Sequence, residues 1–515
     1  MEPEPDSDSE EVTEEVCLES ELQDGEMMEV EVGHHNVLLV RSGGQYSAIG
    51  NQCTHYGAPL SKDRRPGGVP RPGLPALPQG RSGKQQSLRV NKQTVSETEE
   101  EGEANGRRDP GVIHTVLLIG GGSASLVCAE TLRQENYSGR IVMVTRDDLL
   151  PYDKTTLSKV MNMQSSSILL RQMEFFQWHD IEVWLRKEAK SLDTESKTVT
   201  FTDGSWQRYD QLLISTGCRA KELNCRGADL QNVHMLQTPE DAQKIHYSCL
   251  GKDTVIVGTS FIGMEVASYM TGKASSVTVI GSNEMPYQKT LGPEIGRLTM
   301  QMLATQKVKF YMNDSVSQVR GESGKVKEVV LKSGAVLPAD VLIVGIGVVP
   351  NSEFLLGSLV ELDSKSFVPV DKYMKTNIPD VFCAGDMACF PLTMARNQMV
   401  NIGHWQMAQA QGRIAALSMQ NRQTELSSVP FYWTVLLGNT IRYAGYGDGH
   451  TEMVLKGKLE DMKFLAFYIK EDSVVAVAGL NFDPAISQVA EILASGKVIT
   501  KAMAESDDLS WLKLP

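Results

Sequence analysis

Two stretches of this sequence, a domain's length apart, each carry an apolar run, a glycine-rich turn and a helical pattern in direct succession. The first is Val116-Leu117-Leu118-Ile119, then Gly120-Gly121-Gly122-Ser123-Ala124-Ser125, then helical spacing over 126–132. The second is Thr254-Val255-Ile256-Val257, then Gly258-Thr259-Ser260-Phe261-Ile262-Gly263, then 264–267. One G-x-G-x-x-G match is weak evidence; a strand before and a helix after each copy give it meaning. The first glycine permits a tight turn, the second lets backbone N–H groups reach a pyrophosphate, and the third lets helix pack on strand. The anion then rests on a helix N-terminus, where unpaired N–H groups and the dipole favour negative charge. Gly120 and Gly122 are in place, and Ser125 is a small residue at the third position. Gly258 and Gly263 hold the outer positions of the second copy, but Ser260 replaces the middle glycine. The first site reads as intact and the second as compromised.

A carboxylate about 20 positions on should take the ribose hydroxyls. After the first copy, Asp147 lies just past the strand Ile141-Val142-Met143-Val144; read alone, it is equally a solvated turn residue. After the second, Val277-Thr278-Val279-Ile280 runs into Gly281-Ser282-Asn283, and the carboxylate expected at Gly281 is missing. Poor discrimination between NADH and NADPH follows as an expectation.

The length of 515 residues accommodates roughly three domains, and 41% hydrophobic content with 44 glycines fits a soluble α/β enzyme. No apolar run is long enough to span a membrane. Residues 1–106 hold 20 acidic against 9 basic residues, so the front end carries most of the net charge of −14. No Lys or Arg precedes Arg41, unlike a mitochondrial transit peptide. Affinity for nucleic acid rests on neutralising phosphates with clustered Lys and Arg, which makes it an unexpected ligand for so acidic a chain. Eight scattered cysteines with no Cys-x-x-Cys exclude a thioredoxin-type pair and give no support to structural zinc.

From about residue 112 onward the ordered motifs resemble the apoptosis-inducing factor and bacterial ferredoxin-reductase flavoproteins. The likeness is greatest to the Rieske-bearing branch, of which the chain resembles a divergent paralogue or variant. Its markers are Pro151-Tyr152-Asp153-Lys154-Thr155-Thr156-Leu157-Ser158-Lys159, Ser215-Thr216-Gly217, Val348-Val349-Pro350-Asn351, Cys383-Ala384-Gly385-Asp386 and His404-Trp405-Gln406-Met407-Ala408. The resemblance implies FAD, with Asp386 beside Gly385 accepting from the ribityl chain and Thr216 and Gly217 in contact with the cofactor. It implies that Lys159 lies near the flavin, that Glu265 pairs with it, and that Lys154 replaces a family arginine. It places Trp405 near the isoalloxazine and nicotinamide. Taken singly, Asp386 reads as a helix cap, Lys159 as exposed, Glu265 as a first-turn glutamate and Trp405 as core packing.

Residues 33–61 resemble half of a Rieske domain, with Cys53-Thr54-His55 matching the first ligand box. A Rieske cluster needs two cysteines and two histidines, and no Cys or His occurs in residues 57–113. No metal is therefore expected, and Cys53 and His55 are a remnant half-site.

The expected architecture is α/β: two Rossmann-like dinucleotide-binding domains and an α+β C-terminal domain, preceded by a truncated β-rich fragment. The boundaries read as an acidic tail over 1–32, the Rieske-like fragment over 33–61 and a linker over 62–111. An FAD-binding domain follows over 112–239 and 367–427, an NAD(P)-binding domain over 240–366 and a C-terminal domain over 428–515. The function implied is an FAD-dependent oxidoreductase passing electrons from NAD(P)H to an unidentified acceptor. A catalytically degenerate FAD-holding scaffold, linked by resemblance to apoptosis, is the alternative. The resemblance also implies a homodimer and a mitochondrial location, with the cytoplasm as the other reading.

Overall fold

The computed structural model of the protein describes residues 107–512 throughout. Before them it describes residues 13–18, 22, 27–32, 35–42, 45–50 and 87–91. The chain divides into two units, Met1–Ala104 and Asn105–Pro515.

In the first unit, Met27–Val32, His35–Ser42 and Gln45–Gly50 form an antiparallel meander. Thr13–Leu18 pairs antiparallel with Ser87–Asn91, Leu18 opposite Ser87. Strands therefore run through stretches read above as acidic tail and linker. Alternation explains it: Met28-Glu29-Val30-Glu31-Val32 and Leu88-Arg89-Val90 place an apolar residue at every second position, which suits a strand whatever the net charge. Leu22 and Leu39 are buried, and the Arg41 guanidinium donates to the Leu22 carbonyl at 2.9 Å. Cys53 and His55 lie outside the described residues.

The second unit opens with β1 (Thr115–Ile119), α1 (Ser123–Gln134) and β2 (Arg140–Val144). All five residues of β1 are buried, as a strand covered on both faces requires. The first sheet is wholly parallel, in the order Val381–Cys383, Gln211–Ile214, β1, β2, Ile181–Trp184. The second repeats this plan around β3 (Asp253–Val257), α2 (Phe261–Met270) and β4 (Ser276–Ile280). Its order is Val233–His234, Val341–Val344, β3, β4, Lys309–Tyr311, again all parallel. In each sheet the order reverses beside the central strand, and the crevice past its carboxyl end is where such sheets take ligands.

Helix α3 (Trp405–Met419) returns to the first sheet and packs along α1. The chain ends in an antiparallel sheet that begins with β5 (Phe431–Leu436). Helix Ala485–Ala494 covers one face of it through Ile486, Val489 and Ile492. The other face, with Ile441, Tyr443 and Tyr468, shares a core with Met264 and Val266 of α2. The segment carrying Tyr152, Leu157 and Met161 joins that same core. This is the α/β architecture expected, with an α+β layer at the C-terminus. Among the described residues no helix is long and apolar enough to cross a membrane.

Candidate functional site

Both glycine turns form at the ends of central strands. Gly120 and Gly258 have φ of +126° and +119°, and a Cβ at either would lie within about 2 Å of a carbonyl oxygen, of Ser215 and Gly345 respectively. Only glycine serves there. Gly263 packs α2 on the turn, where a Cβ would meet the Gly258 carbonyl. Ser125 does the equivalent work in the first copy, buried with its Oγ 2.6 Å from Ser215 Oγ. Gly258, Gly263 and Ser125 stand behind the site rather than on its surface.

Gly122 and Ser260 are the N-cap residues of α1 and α2, with nearly the same backbone (φ −95°, ψ −175° and φ −98°, ψ −161°). Neither helix has a side-chain cap, so their first N–H groups stay open to a ligand. A Cβ on Gly122 would meet nothing within 4 Å. The matching space at Ser260 holds a side chain, exposed and lining the cavity described next.

A cavity of about 850 Å³ opens past the carboxyl ends of β1 and β3, within the size range of cofactor sites. Gly120, Gly122, Asp147 and Lys154 line it, as do Lys159 and Glu265, then Thr216, Gly217, Gly385, Asp386 and Trp405. Residues distant in sequence are thus brought to one space.

The Lys159 ammonium donates to Glu265 Oε2 at 3.0 Å and to the Thr155 carbonyl at 2.7 Å. Glu265 is only 3% exposed, so it is a buried anion rather than a surface first-turn glutamate. It also accepts from the Ser158 hydroxyl and, on Oε1, from Thr434 Oγ1 at 2.8 Å. Ser158 was quoted above only within a marker, and Thr434, a lone Thr, follows no pattern.

Asp386 follows strand Val381–Cys383 and is recessed in the cavity wall. Burial pushes its carboxyl pKa up, and the nearby Lys154 charge opposes that shift. The turn beneath it is held by Gln411 of α3, whose Oε1 accepts from the Gly385 N–H at 2.7 Å. Asn351, quoted above only as a marker, clamps the Thr216–Gly217 turn: its side chain donates to the Thr216 carbonyl at 3.0 Å, and its N–H donates to the Gly217 carbonyl at 3.0 Å. Asp147 lines the cavity and accepts from Tyr152 Oη at 3.4 Å. Trp405, at the first turn of α3, is half-buried against the cavity.

The second ribose position is packed differently from the first. Val144 pairs with Ile119 and Ile280 with Val257, so Gly281 is the counterpart of Thr145, and Asn283 that of Asp147. In the first copy, Gly121 faces the bulk of Thr145; in the second, Thr259 faces Gly281, where a Cβ would lie 2.6 Å from Thr259 Cγ2. The sizes are exchanged across the same contact. A carboxylate at Gly281 alone is therefore blocked by Thr259, which the linear motif did not reveal.

His404, just ahead of α3, stacks on Tyr432 at 4.3 Å, and burial lowers its pKa from 6.5 to about 4. As pH falls from 6.5 through 4 the unfolded chain takes this proton first, so folding stability should drop by about 3 kcal/mol and level off below. Unfolding at a series of pH values should show that slope, and His404→Phe should flatten it. Cys218 also lines the cavity, with its thiol pushed up to about 12 by burial and by Asp386. At neutral pH it is not a thiolate nucleophile.

The pyridine nucleotide-disulphide oxidoreductase model matches residues 114–412, a reductase C-terminal model matches 431–513, and a Rieske [2Fe-2S] model matches 13–69. Apoptosis-inducing factor 3 of Homo sapiens is 43% identical, across 96% of this chain and 87% of its own length. The chain belongs to the apoptosis-inducing factor 3 branch of the pyridine nucleotide-disulphide oxidoreductases. Within that oxidoreductase family it is also 30% identical to the biphenyl dioxygenase system ferredoxin–NAD(+) reductase component of Paraburkholderia xenovorans, over 67% of this chain and 84% of that one. Among solved structures, a ferredoxin reductase from Rhodopseudomonas palustris matches with a TM-score of 0.74 and 26% identity, over 77% of this chain and 99% of that one. The Rieske match begins at residue 13, ahead of the boundary at 33 drawn from the ligand box. Despite the family's description, Cys128, Cys218, Cys225, Cys249, Cys383 and Cys389 are free thiols.

Proposed function

We propose that the protein is an FAD-dependent oxidoreductase taking electrons from NAD(P)H and passing them to an electron-carrier protein, with weakened nicotinamide binding. The observation that carries this reading is the cavity where the first glycine turn, Asp386, the Lys159–Glu265 pair, Trp405 and Ser260 meet. FAD, when bound, supplies two-electron chemistry that side chains lack. The residues present fit it. The uncapped N-terminus of α1 beside open Gly122 suits a pyrophosphate, and Asp147 suits the adenosine ribose. Asp386, buried at a cost to its charged form, would be relieved by ribityl hydroxyl donors. Lys159, fixed by Glu265, keeps a positive charge on the wall and can stabilise negative charge that develops there. Lys154 keeps charge at the rim without arginine's planar fork.

The acceptor class is supported by relatives whose names carry ferredoxin and rubredoxin, the latter the rubredoxin-NAD(+) reductase of Pseudomonas putida. Family membership supports a mitochondrial association. We read no [2Fe–2S] cluster, because Cys53 and His55 give only half of a ligand set. Ser260 in the cavity favours a second reading, a flavin-holding scaffold with little turnover.

The full chain should purify yellow, with a two-band flavin spectrum near one FAD per chain and no Rieske signal in low-temperature electron paramagnetic resonance. Asp386→Ala should weaken FAD retention by about 1.5–3 kcal/mol for each charge-assisted hydrogen bond lost. Colourless protein that fails to take up added FAD would refute the reading. Stoichiometric iron would overturn the cluster assignment.

A further inference from the structure

We propose that Thr434 is a positioning residue for the Lys159–Glu265 pair, linking it through Tyr287 to the second nucleotide turn. The inference rests on the oxidoreductase reading above. Both oxygens of Glu265 are engaged, but unequally. Oε2 takes the Ser158 hydroxyl and the Lys159 ammonium, whereas among the described residues the donor to Oε1 is Thr434 Oγ1, at 2.8 Å. Thr434 is 1% exposed, so bulk water cannot replace its hydroxyl.

The direction of the network follows from the inventory of hydrogens. A threonine hydroxyl has one hydrogen, and an ionised carboxylate can only accept. Thr434 therefore gives its hydrogen to Glu265 and accepts from Tyr287 Oη, 3.3 Å away. Tyr287 is 3% exposed and burial pushes its phenol pKa up, so it keeps the proton it donates. The Tyr287 backbone N–H in turn donates to the Thr259 carbonyl at 2.9 Å. Thr259 belongs to the second glycine turn. The order Thr259–Tyr287–Thr434–Glu265–Lys159 thus runs from the nucleotide turn to the charged wall, and its middle member comes from β5.

Without the Thr434 hydroxyl, Oε1 loses its donor and the carboxylate is free to turn about its remaining contacts, taking the lysine with it. Small misplacements of a reacting arrangement cost rate far more than they cost binding. The test is anaerobic stopped-flow reduction of the FAD-loaded full chain by NADH and NADPH, in wild type, Thr434→Val, Thr434→Ser and Tyr287→Phe. Thr434→Val keeps the shape and should lower the limiting rate of flavin reduction about tenfold. Flavin content and the apparent dissociation constant of the nicotinamide should stay at wild-type values. Thr434→Ser should restore the rate, and Tyr287→Phe should fall between. A wild-type limiting rate in Thr434→Val overturns the inference alone, as does a serine variant that fails to rescue, which would make the loss one of packing. Wild-type protein that holds no flavin, or takes no electrons from either nicotinamide, overturns the underlying reading as well. If Thr434→Val fails to fold, the serine and Tyr287→Phe variants decide: wild-type rates in Tyr287→Phe with a slow serine variant would sink the network.

Discussion

Glu265→Ala should destabilise the protein by about 3–5 kcal/mol, the range for stripping one partner from a buried ion pair. The side chains of Glu265 and Lys159 are 3% and 18% exposed, so the pair is largely withdrawn from water and the lysine cannot simply turn outward. Alanine would leave the Lys159 ammonium without its counter-charge and the Ser158 and Thr434 hydroxyls without their acceptor. Glu265→Gln keeps volume and an acceptor oxygen while removing the charge, and should cost less. Urea unfolding followed by far-ultraviolet circular dichroism measures both, and an unchanged slope with a lower midpoint identifies a true stability change. A loss under 1 kcal/mol for alanine would mean that water already reaches the pair.

Nicotinamide affinity should respond to changes at the second turn in a way that no single reversion reproduces. Wild-type protein is expected to bind NADH and NADPH weakly and with little preference. Ser260→Gly should tighten both, because it clears the space that is open at Gly122. Gly281→Glu alone should gain nothing and lose stability, because its Cβ would press on Thr259. Thr259→Gly with Gly281→Glu should favour NADH over NADPH by roughly 10- to 150-fold, the value of about 1.5–3 kcal/mol for a charge-assisted contact. Equilibrium titration of flavin absorbance with each nucleotide reads all four proteins. Low-micromolar NADH binding and rejection of NADPH by the wild type would contradict the argument from these positions.

The strands and turns around Gly120 and Gly258 were legible because their chemistry imposes both residue type and order. Glycine is required where a Cβ would strike a carbonyl, and apolar runs are required where both faces are covered. The exchange of bulk between Thr145 and Gly281 was hidden, since it lies across strands that only register aligns. Ser158, Thr434 and Tyr287 were hidden for a different reason: a hydroxyl gains its role from the buried charge it meets, far away in sequence. The strand Thr13–Leu18 pairs with Ser87–Asn91, and in an acidic stretch nothing local announces so distant a partner. Charge count was a poor guide there, and alternation the better one.

Glu265 and its donors come from three separate parts of the chain. Ser158 and Lys159 come from the excursion between strands of the first sheet, Glu265 itself rides on α2 of the second, and Thr434 sits on the C-terminal sheet. A carboxylate held in that manner acts as a keystone. Loosening any one of the three pieces strands the same buried charge, so none can open cheaply while the others stay shut. Residues 107–512 should therefore melt as one cooperative body instead of in stages, and protease nicks should expose all three sheets together.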